Sequence, residues 1–235
     1  MTDLYETIVR WYLRFNGYFC VENFVVHEPD HAGVPQGAEF DTLAVRFPHS
    51  KEIVSGQPIE NDPRLNDGEV SQSGLIDFVI AEVKSGKRLG LNRIWREENT
   101  RNLERLAYMV RWLGGFEEES LSQMAQDLLR NKRAVAKEYC IRLVVFGHRT
   151  SQQAVPSHVP QITFTDIANF IVRVRAPCWT RYQLGVRSAH DQWDPLIKSV
   201  WDIADRAERS EEKVQAILHL LHEYAPPSNQ QASTS

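Results

Sequence analysis

Leu75 to Val83 is an apolar run that reads as a strand buried on both faces, and it ends in Glu82-Val83-Lys84. A second run, Ala38 to Phe47, closed by Pro48, contains Glu39-Phe40-Asp41. Strands of this kind want Val or Ile throughout, yet Asp41, Glu82 and Lys84 hold three such places. Buried charge is costly unless it is paired or holds a metal. Any fold of this chain must therefore give these three groups partners where strand ends converge. Period-2 geometry puts Glu82 and Lys84 on one face, and likewise Glu39, Asp41, Leu43 and Val45. Two carboxylates and one ammonium can hold Mg²⁺ and orient a water. The competing reading is a strand-end salt bridge in which two acids crowd one cation.

The rest of the chain supplies a frame for such strands. Leu4, Ile8, Trp11, Tyr12 and Phe15 recur at helical spacing, with Asp3 as N-cap and Asn16-Gly17 as stop. Tyr18 to Val26 is aromatic and β-branched and reads as a strand, followed by a loop over residues 31–37. Residues 49–74 are polar, with Pro and Gly, and read as a long loop. Asn92 is placed to cap a helix running to Leu113, with Leu103, Leu106, Ala107, Val110 and Leu113 inward and Gly114-Gly115 as its end. A further helix is expected from Ser120 to about Lys137, strands at Cys140–Gly147 and Gln161–Phe164, and a helix over residues 166–174 capped by Thr165. Asp194-Pro195 opens one C-terminal helix and Ser210 another. From Pro226 the composition is that of a disordered tail. The expected organisation is a core over residues 1–176, a helical extension over 177–225 packed on it, and a tail over 226–235.

Composition excludes several classes. At 235 residues with 42% hydrophobic and 25% charged residues, the chain is that of a globular protein with enough apolar material for a sizeable core. No apolar run is long enough to span a membrane. Met1 to Glu6 lacks the basic start and apolar stretch of a signal peptide, so a cytoplasmic location is expected. Cys20, Cys140 and Cys178 fit buried thiols better than a disulfide framework or a zinc site. The eight His are scattered without metal-ligand spacing. Net charge is −4, but its distribution is uneven: residues 1–83 carry a net −9, 84–149 a net +6 and 150–235 a net −1. The basic middle begins at Lys84 and could meet a phosphate backbone; solvated helix faces would give the same pattern.

Element order and motif together resemble the PD-(D/E)XK nuclease superfamily. The carrying residues are Asp41 with Glu82-Val83-Lys84, and the stretch Gly37-Ala-Glu-Phe-Asp41-Thr-Leu-Ala-Val. Phe40 stands where the family's name has Pro, and Glu104-Arg-Leu-Ala-Tyr108 has Glu where the RecB-like branch has Gln. The resemblance spans about residues 4–175. It implies an α/β fold, a restriction-endonuclease-like αβββαβ core with a mixed central sheet flanked by helices, here with a C-terminal helical extension. It further implies a Mg²⁺-dependent nuclease, with Mn²⁺ able to substitute, hydrolysing DNA; cutting internally or from ends stays open, and the lack of an adjoining helicase or polymerase motif favours an endonuclease. Asp41, Glu82 and the Val83 carbonyl would hold metal, with Glu6 on the first helix as a further ligand to metal or its water. Lys84 would position water or neutralise developing charge. Lys87, Arg88, Arg93 and Arg96 are placed to contact DNA phosphates, or else form a solvated helix start. The six Trp are expected mostly in core or helix packing, with Trp95, beside Arg93 and Arg96, the one offered for stacking on a base. Asp77 alternates to the face opposite Glu82 and is left out of the site. A homodimer or a partner protein would supply specificity. The rival expectation is a non-catalytic nucleic-acid-binding or assembly protein on the same fold.

Overall fold

Residues 3–26, 38–54, 56–86, 90–114, 117–178 and 194–223 are described by the computed structural model. The expected loop at 31–37, Lys87, Arg88, Gly115 and the tail from 226 lie outside the described residues.

Helix α1 (Leu4–Phe15) starts where the sequence places it. The Asp3 carboxylate accepts the Tyr5 N–H at 2.8 Å, and Asn16 closes the helix before Gly17 at φ +82°. Its apolar side is wide, with Tyr5, Ile8, Val9, Tyr12 and Leu13 all buried. Strands β1 (Phe19–Val26), β2 (Ala38–Arg46) and β5 (Ile76–Lys84) form an antiparallel meander. β5 then lies parallel to β7 (Tyr139–Gly147). The sheet order is β1-β2-β5-β7-β6, so β5 is central, as its doubly apolar sequence requires. β6 (Arg133–Ala136) and β8 (Gln161–Thr163) share the outer edge of β7, one antiparallel and one parallel.

Helices cover both faces of this mixed, open sheet. On one face α1 packs with Val79 and Ala81 of β5 and Val144 and Phe146 of β7. The same cluster takes in α6 (Phe164–Phe170), α7 (Pro195–Ala204) and α8 (Ser210–Glu223), through Phe170, Val200, Trp201 and Ile217. On the other face Ile80, Leu143 and Val145 pack under α4 (Thr100–Leu113) and α5 (Glu118–Asn131). The alternation along β5 thus feeds two separate cores. The molecule is α/β, and among the described residues no helix is long and apolar enough to cross a membrane.

Several expected boundaries shift, each for a local reason. Residues 49–74 are not one loop: they hold a short hairpin, β3 (Ile53–Val54) with β4 (Gln57–Pro58), a 3-10 turn (Pro63–Leu65) and α2 (Gly68–Ser73). They are pinned to the core, since Asn16 Oδ1 accepts the Asp62 N–H at 2.6 Å and Leu65 is fully buried. The helix expected from Asn92 to Leu113 is two. α3 (Arg93–Arg96) ends at Glu97, and α4 restarts under an Asn99 cap whose side chain accepts the Asn102 N–H at 2.9 Å. Asn102 Nδ2 holds the break by donating to the Glu97 carbonyl at 2.8 Å. α5 stops at Asn131 because Lys132 turns left-handed at φ +56°, which frees residues 133–136 to form β6. The cap of α6 is Thr163 rather than Thr165, in a capping box with Asp166. Past Phe170 the helix widens into a π turn over Ile171–Arg175.

β5 carries buried charge at its start as well as at its end. Asp77, 1% exposed, receives Arg142 Nε and Nη2 at 2.9 Å each, the Tyr18 hydroxyl at 2.6 Å and Arg46 Nη2 at 3.3 Å. Arg142 also donates to the Leu65 carbonyl at 2.7 Å, tying the 49–74 segment to the sheet. Burial pushes the Asp77 carboxyl up, but Arg142, Tyr18 and Arg46 together hold it below the usual carboxylate range.

Candidate active site

The ladder between β2 and β5 ends at Thr42↔Ala81. The next pair in that register would be Asp41 and Glu82. The strands part there, and a side chain takes over where a backbone carbonyl would have stood: Asp41 Oδ2 accepts the Val83 N–H at 2.7 Å. β2 is distorted at the same place. Phe40 and Leu43, of opposite parity, both reach the cluster under α4 and α5. Asn23, which faces Asp41 between the pairs Glu22↔Thr42 and Phe24↔Phe40, lies in the left-handed region at φ +48°. The fork that exposes Asp41 is therefore built into two adjacent strands. A strand residue directs its N–H and carbonyl to the same side, so the Val83 carbonyl faces the Asp41 side of the fork.

Glu82 and Lys84 share a face, as period-2 spacing requires. Lys84 Nζ lies 2.9 Å from Glu82 Oε1 and donates to Asn92 Oδ1 at 2.8 Å. The Asn92 N–H donates to the same Glu82 oxygen at 2.6 Å. The Glu82 side chain is 4% exposed and that of Lys84 17%. Asn92 thus orders the acid and the ammonium at once. From sequence it reads only as a helix cap, and its side chain caps nothing on α3. The sole signal for its role was an Asn ten residues beyond the strand carboxylate.

Among the described residues, hydrogen bonds engage Oδ2 of Asp41 and Oε1 of Glu82, leaving Oδ1 and Oε2 uncommitted. Burial raises the Asp41 pKa against the pull of the Val83 N–H and Lys84. Burial likewise raises Glu82 against Lys84 and the Asn92 N–H. Glu6, half-buried in the first turn of α1, is pushed up to about 7 by burial and then by the charge of Asp41, with smaller effects from Asp3, Glu39 and Glu22. Asp77 and Glu82 are both buried acids of β5, and their shifts have opposite sign. The acid at the strand start has its charge compensated; those at the strand end share one ammonium. Acids perturbed by burial beside a specific charge partner are functional-site candidates.

The expected residues do not all gather. Asp41, Glu82, Val83 and Lys84 meet at the fork. Glu6 feels the field of Asp41, but among the described residues no three His, Cys, Asp or Glu side chains form a metal cluster. Glu39 is exposed. Arg93 and Arg96 lie exposed on α3 directly after Asn92, and Arg93 approaches Glu97 at 4.0 Å. Lys87 and Arg88 lie outside the described residues. Trp95 is 2% exposed, its ring 6.1 Å from that of Phe40, and is closed to any base. His148, exposed after β7, has Nε2 3.0 Å from the Ser85 carbonyl and its ring edge-on to Tyr5. It ties the end of β5 to α1.

The donor set suits a small divalent cation. Mg²⁺ takes one or two carboxylates with waters and tolerates few other protein ligands. Two carboxylates, each with one oxygen outside the hydrogen bonds above, and the Val83 carbonyl are the oxygen donors the fork offers, and a cation held by them would reverse the raised pKa of each acid. No family model matches the chain, and no curated protein or solved structure shows significant similarity to it.

Proposed function

We propose that this protein is a metal-dependent nuclease that hydrolyses phosphodiester bonds in DNA, acting internally on the strand. The observation that carries the reading is the fork itself. Asp41 and Glu82-Val83-Lys84 come together where β2 and β5 separate: Asp41 holds the Val83 N–H, the Lys84 ammonium bridges Glu82 and Asn92, and both carboxylates lie above their ordinary pKa. The meander β1-β2-β5 followed by parallel β7, behind α1, supports a restriction-endonuclease-like core. Asp41, Glu82 and the Val83 carbonyl would hold Mg²⁺ or Mn²⁺, which would supply Lewis acidity to a scissile phosphate and a water. Lys84, already oriented by Asn92, neutralises negative charge that develops on the phosphate. Asn92 keeps that ammonium from collapsing toward solvent. Arg93 and Arg96, exposed on α3, supply positive charge for flanking phosphates.

A second reading is a DNA-binding or assembly protein on the same fold without catalysis. It draws on the closed contact in which one Glu82 oxygen serves both Lys84 and the Asn92 amide. The test is incubation of supercoiled plasmid, linear duplex and single-stranded DNA with Mg²⁺ or Mn²⁺, wild type beside Lys84→Ala. Cutting by wild type alone is expected. Equal cutting by both overturns the site. No cutting by either, with both proteins folded, favours the binding protein.

A further inference from the structure

Helix α4 carries Arg101, Arg105, Tyr108 and Trp112 at spacings of four, three and four, which makes one stripe along the helix. Leu106, Met109 and Val110 form its buried side. Tyr108 is 38% exposed and Trp112 54% exposed. Two large aromatic rings one turn apart on the surface are an unusual use of apolar area.

Trp112 is held in place. Its ring lies 4.4 Å from Phe24 of β1, and the Phe24 ring is 6.4 Å from Phe40 of β2. Phe24 and Phe40 are cross-strand partners, and Phe40 immediately precedes Asp41. β1, β2 and β5 are neighbours, each strand about 4.8 Å from the next. The aromatic line therefore runs from the helix surface toward the Asp41–Glu82 fork. Trp95, the aromatic that sequence reasoning offered for stacking, is the buried prop of this line; Trp112 is its exposed end.

Charge selects the partner. Residues 84–149 hold fourteen Lys/Arg against eight Asp/Glu, while residues 1–83 hold five against fourteen. Arg101 and Arg105 extend the aromatic stripe, Glu104 lies exposed one turn before Tyr108, and the Arg111 guanidinium, ion-paired with Glu118, lies 5.6 Å from the Tyr108 ring. Aromatic rings among arginines suit a ligand with flat apolar faces and a phosphate backbone. In a duplex the base faces are buried against one another, so only unpaired bases can use such rings.

We propose that the exposed face of α4 is a docking track for single-stranded DNA, with Trp112 and Tyr108 stacking unpaired bases of a strand that leads to the fork. The assignment rests on the nuclease reading for its substrate, but its test needs no cleavage. Fluorescently tagged oligothymidylate is titrated in EDTA against wild type, Trp112→Ala and Trp112→Phe, beside a blunt duplex and an abasic strand of equal length. Loss of one stacked base implies roughly fivefold or greater weakening for Trp112→Ala. Trp112→Phe is expected to retain most of the affinity, and the duplex to be bound equally by all three. Wild type is expected to prefer oligothymidylate to the abasic strand, a comparison that stands even if Trp112→Ala does not fold. Equal binding of the abasic strand, or equal weakening toward duplex, overturns the track. Failure of the nuclease reading appears separately, as absence of cutting in Mg²⁺.

Discussion

Asp41 accepts the Val83 amide at 2.7 Å at the point where β2 and β5 stop pairing. One carboxylate oxygen thereby closes the backbone ladder and the other is left at the mouth of the fork. The two tasks separate by substitution. Asp41→Asn keeps an acceptor for the Val83 N–H and removes the charge; Asp41→Ala removes both. Cleavage is expected to be lost in both variants, whereas the thermal midpoint falls clearly only in Asp41→Ala. Loss of one hydrogen bond to a charged acceptor costs about 1.5–3 kcal/mol. An Asp41→Asn protein that cuts DNA at the wild-type rate rules out a metal-binding role for this carboxylate.

Arg142 and Asp77 form the opposite case, a buried ion pair with every charge answered. Removing one member strands the other, which costs about 3–5 kcal/mol. Asp77→Asn is therefore expected to lower the midpoint by roughly ten degrees for a domain of this size. The Asp77 pKa is depressed in the folded protein. Its contribution is thus present above the ordinary carboxylate pKa and lost as pH falls through the depressed value. The gap in midpoint between wild type and Asp77→Asn should hold at neutral pH and close on acidification below the carboxylate range. Thermal melts across that range check both the size and the sign.

Arg175 sits in the π turn after α6, fully buried, with Nη1 donating to Glu52 Oε2 at 2.8 Å. Among the described residues its Nε and Nη2 have no hydrogen-bond partner, and burial lowers its pKa. The pair is thus poorly compensated for its depth. Glu52→Leu is expected to destabilise the fold by about 3 kcal/mol, because a lone buried guanidinium remains. The double variant Glu52→Leu with Arg175→Met is expected to recover most of that loss, since a Met of similar reach leaves no charge behind. Urea melts of the two singles and the double form the test; strictly additive losses would refute the account.

How much of this was legible in the sequence depends on the range of the forces involved. α1 was, because Asp3, the apolar stripe and Gly17 act within a few residues of one another. The centrality of β5 was, because a strand with Val79 and Ile80 on opposite sides needs cover on both. The break between α3 and α4 was not, since it depends on Asn102 reaching back to Glu97. Nor was the order within residues 49–74, where polar composition hid anchors that lie far away in sequence: Asn16 for Asp62 and Arg142 for Leu65. At the site, Asp41, Glu82 and Lys84 stood out as charges in strands. Asn92 did not, because its value lies in where the chain returns after β5. That Trp95 is buried and Trp112 exposed was hidden for the same reason: periodicity places both on helices but does not say which one the sheet covers.

Glu6 connects the fold to the metal question through pH. Its carboxyl is pushed from its ordinary value near 4.5 to about 7, chiefly by burial and then by Asp41. A raised carboxyl pKa means that the folded state holds the proton more tightly than the unfolded chain. The stability so gained is present below the unfolded value and lost as pH rises through about 7. In EDTA, wild type is therefore expected to lose stability between about pH 5 and pH 8, and Glu6→Gln to lose less. Mg²⁺ acts in the other sense: it binds the deprotonated acids, so protons compete with it. The rise in midpoint on adding Mg²⁺ should be larger at about pH 8 than at about pH 6 in wild type. A Glu6→Gln protein with the same Mg²⁺ response at both values would keep the metal at Asp41 and Glu82 and remove Glu6 from its shell. A wild type with no Mg²⁺ response at either pH would count against the cation site itself.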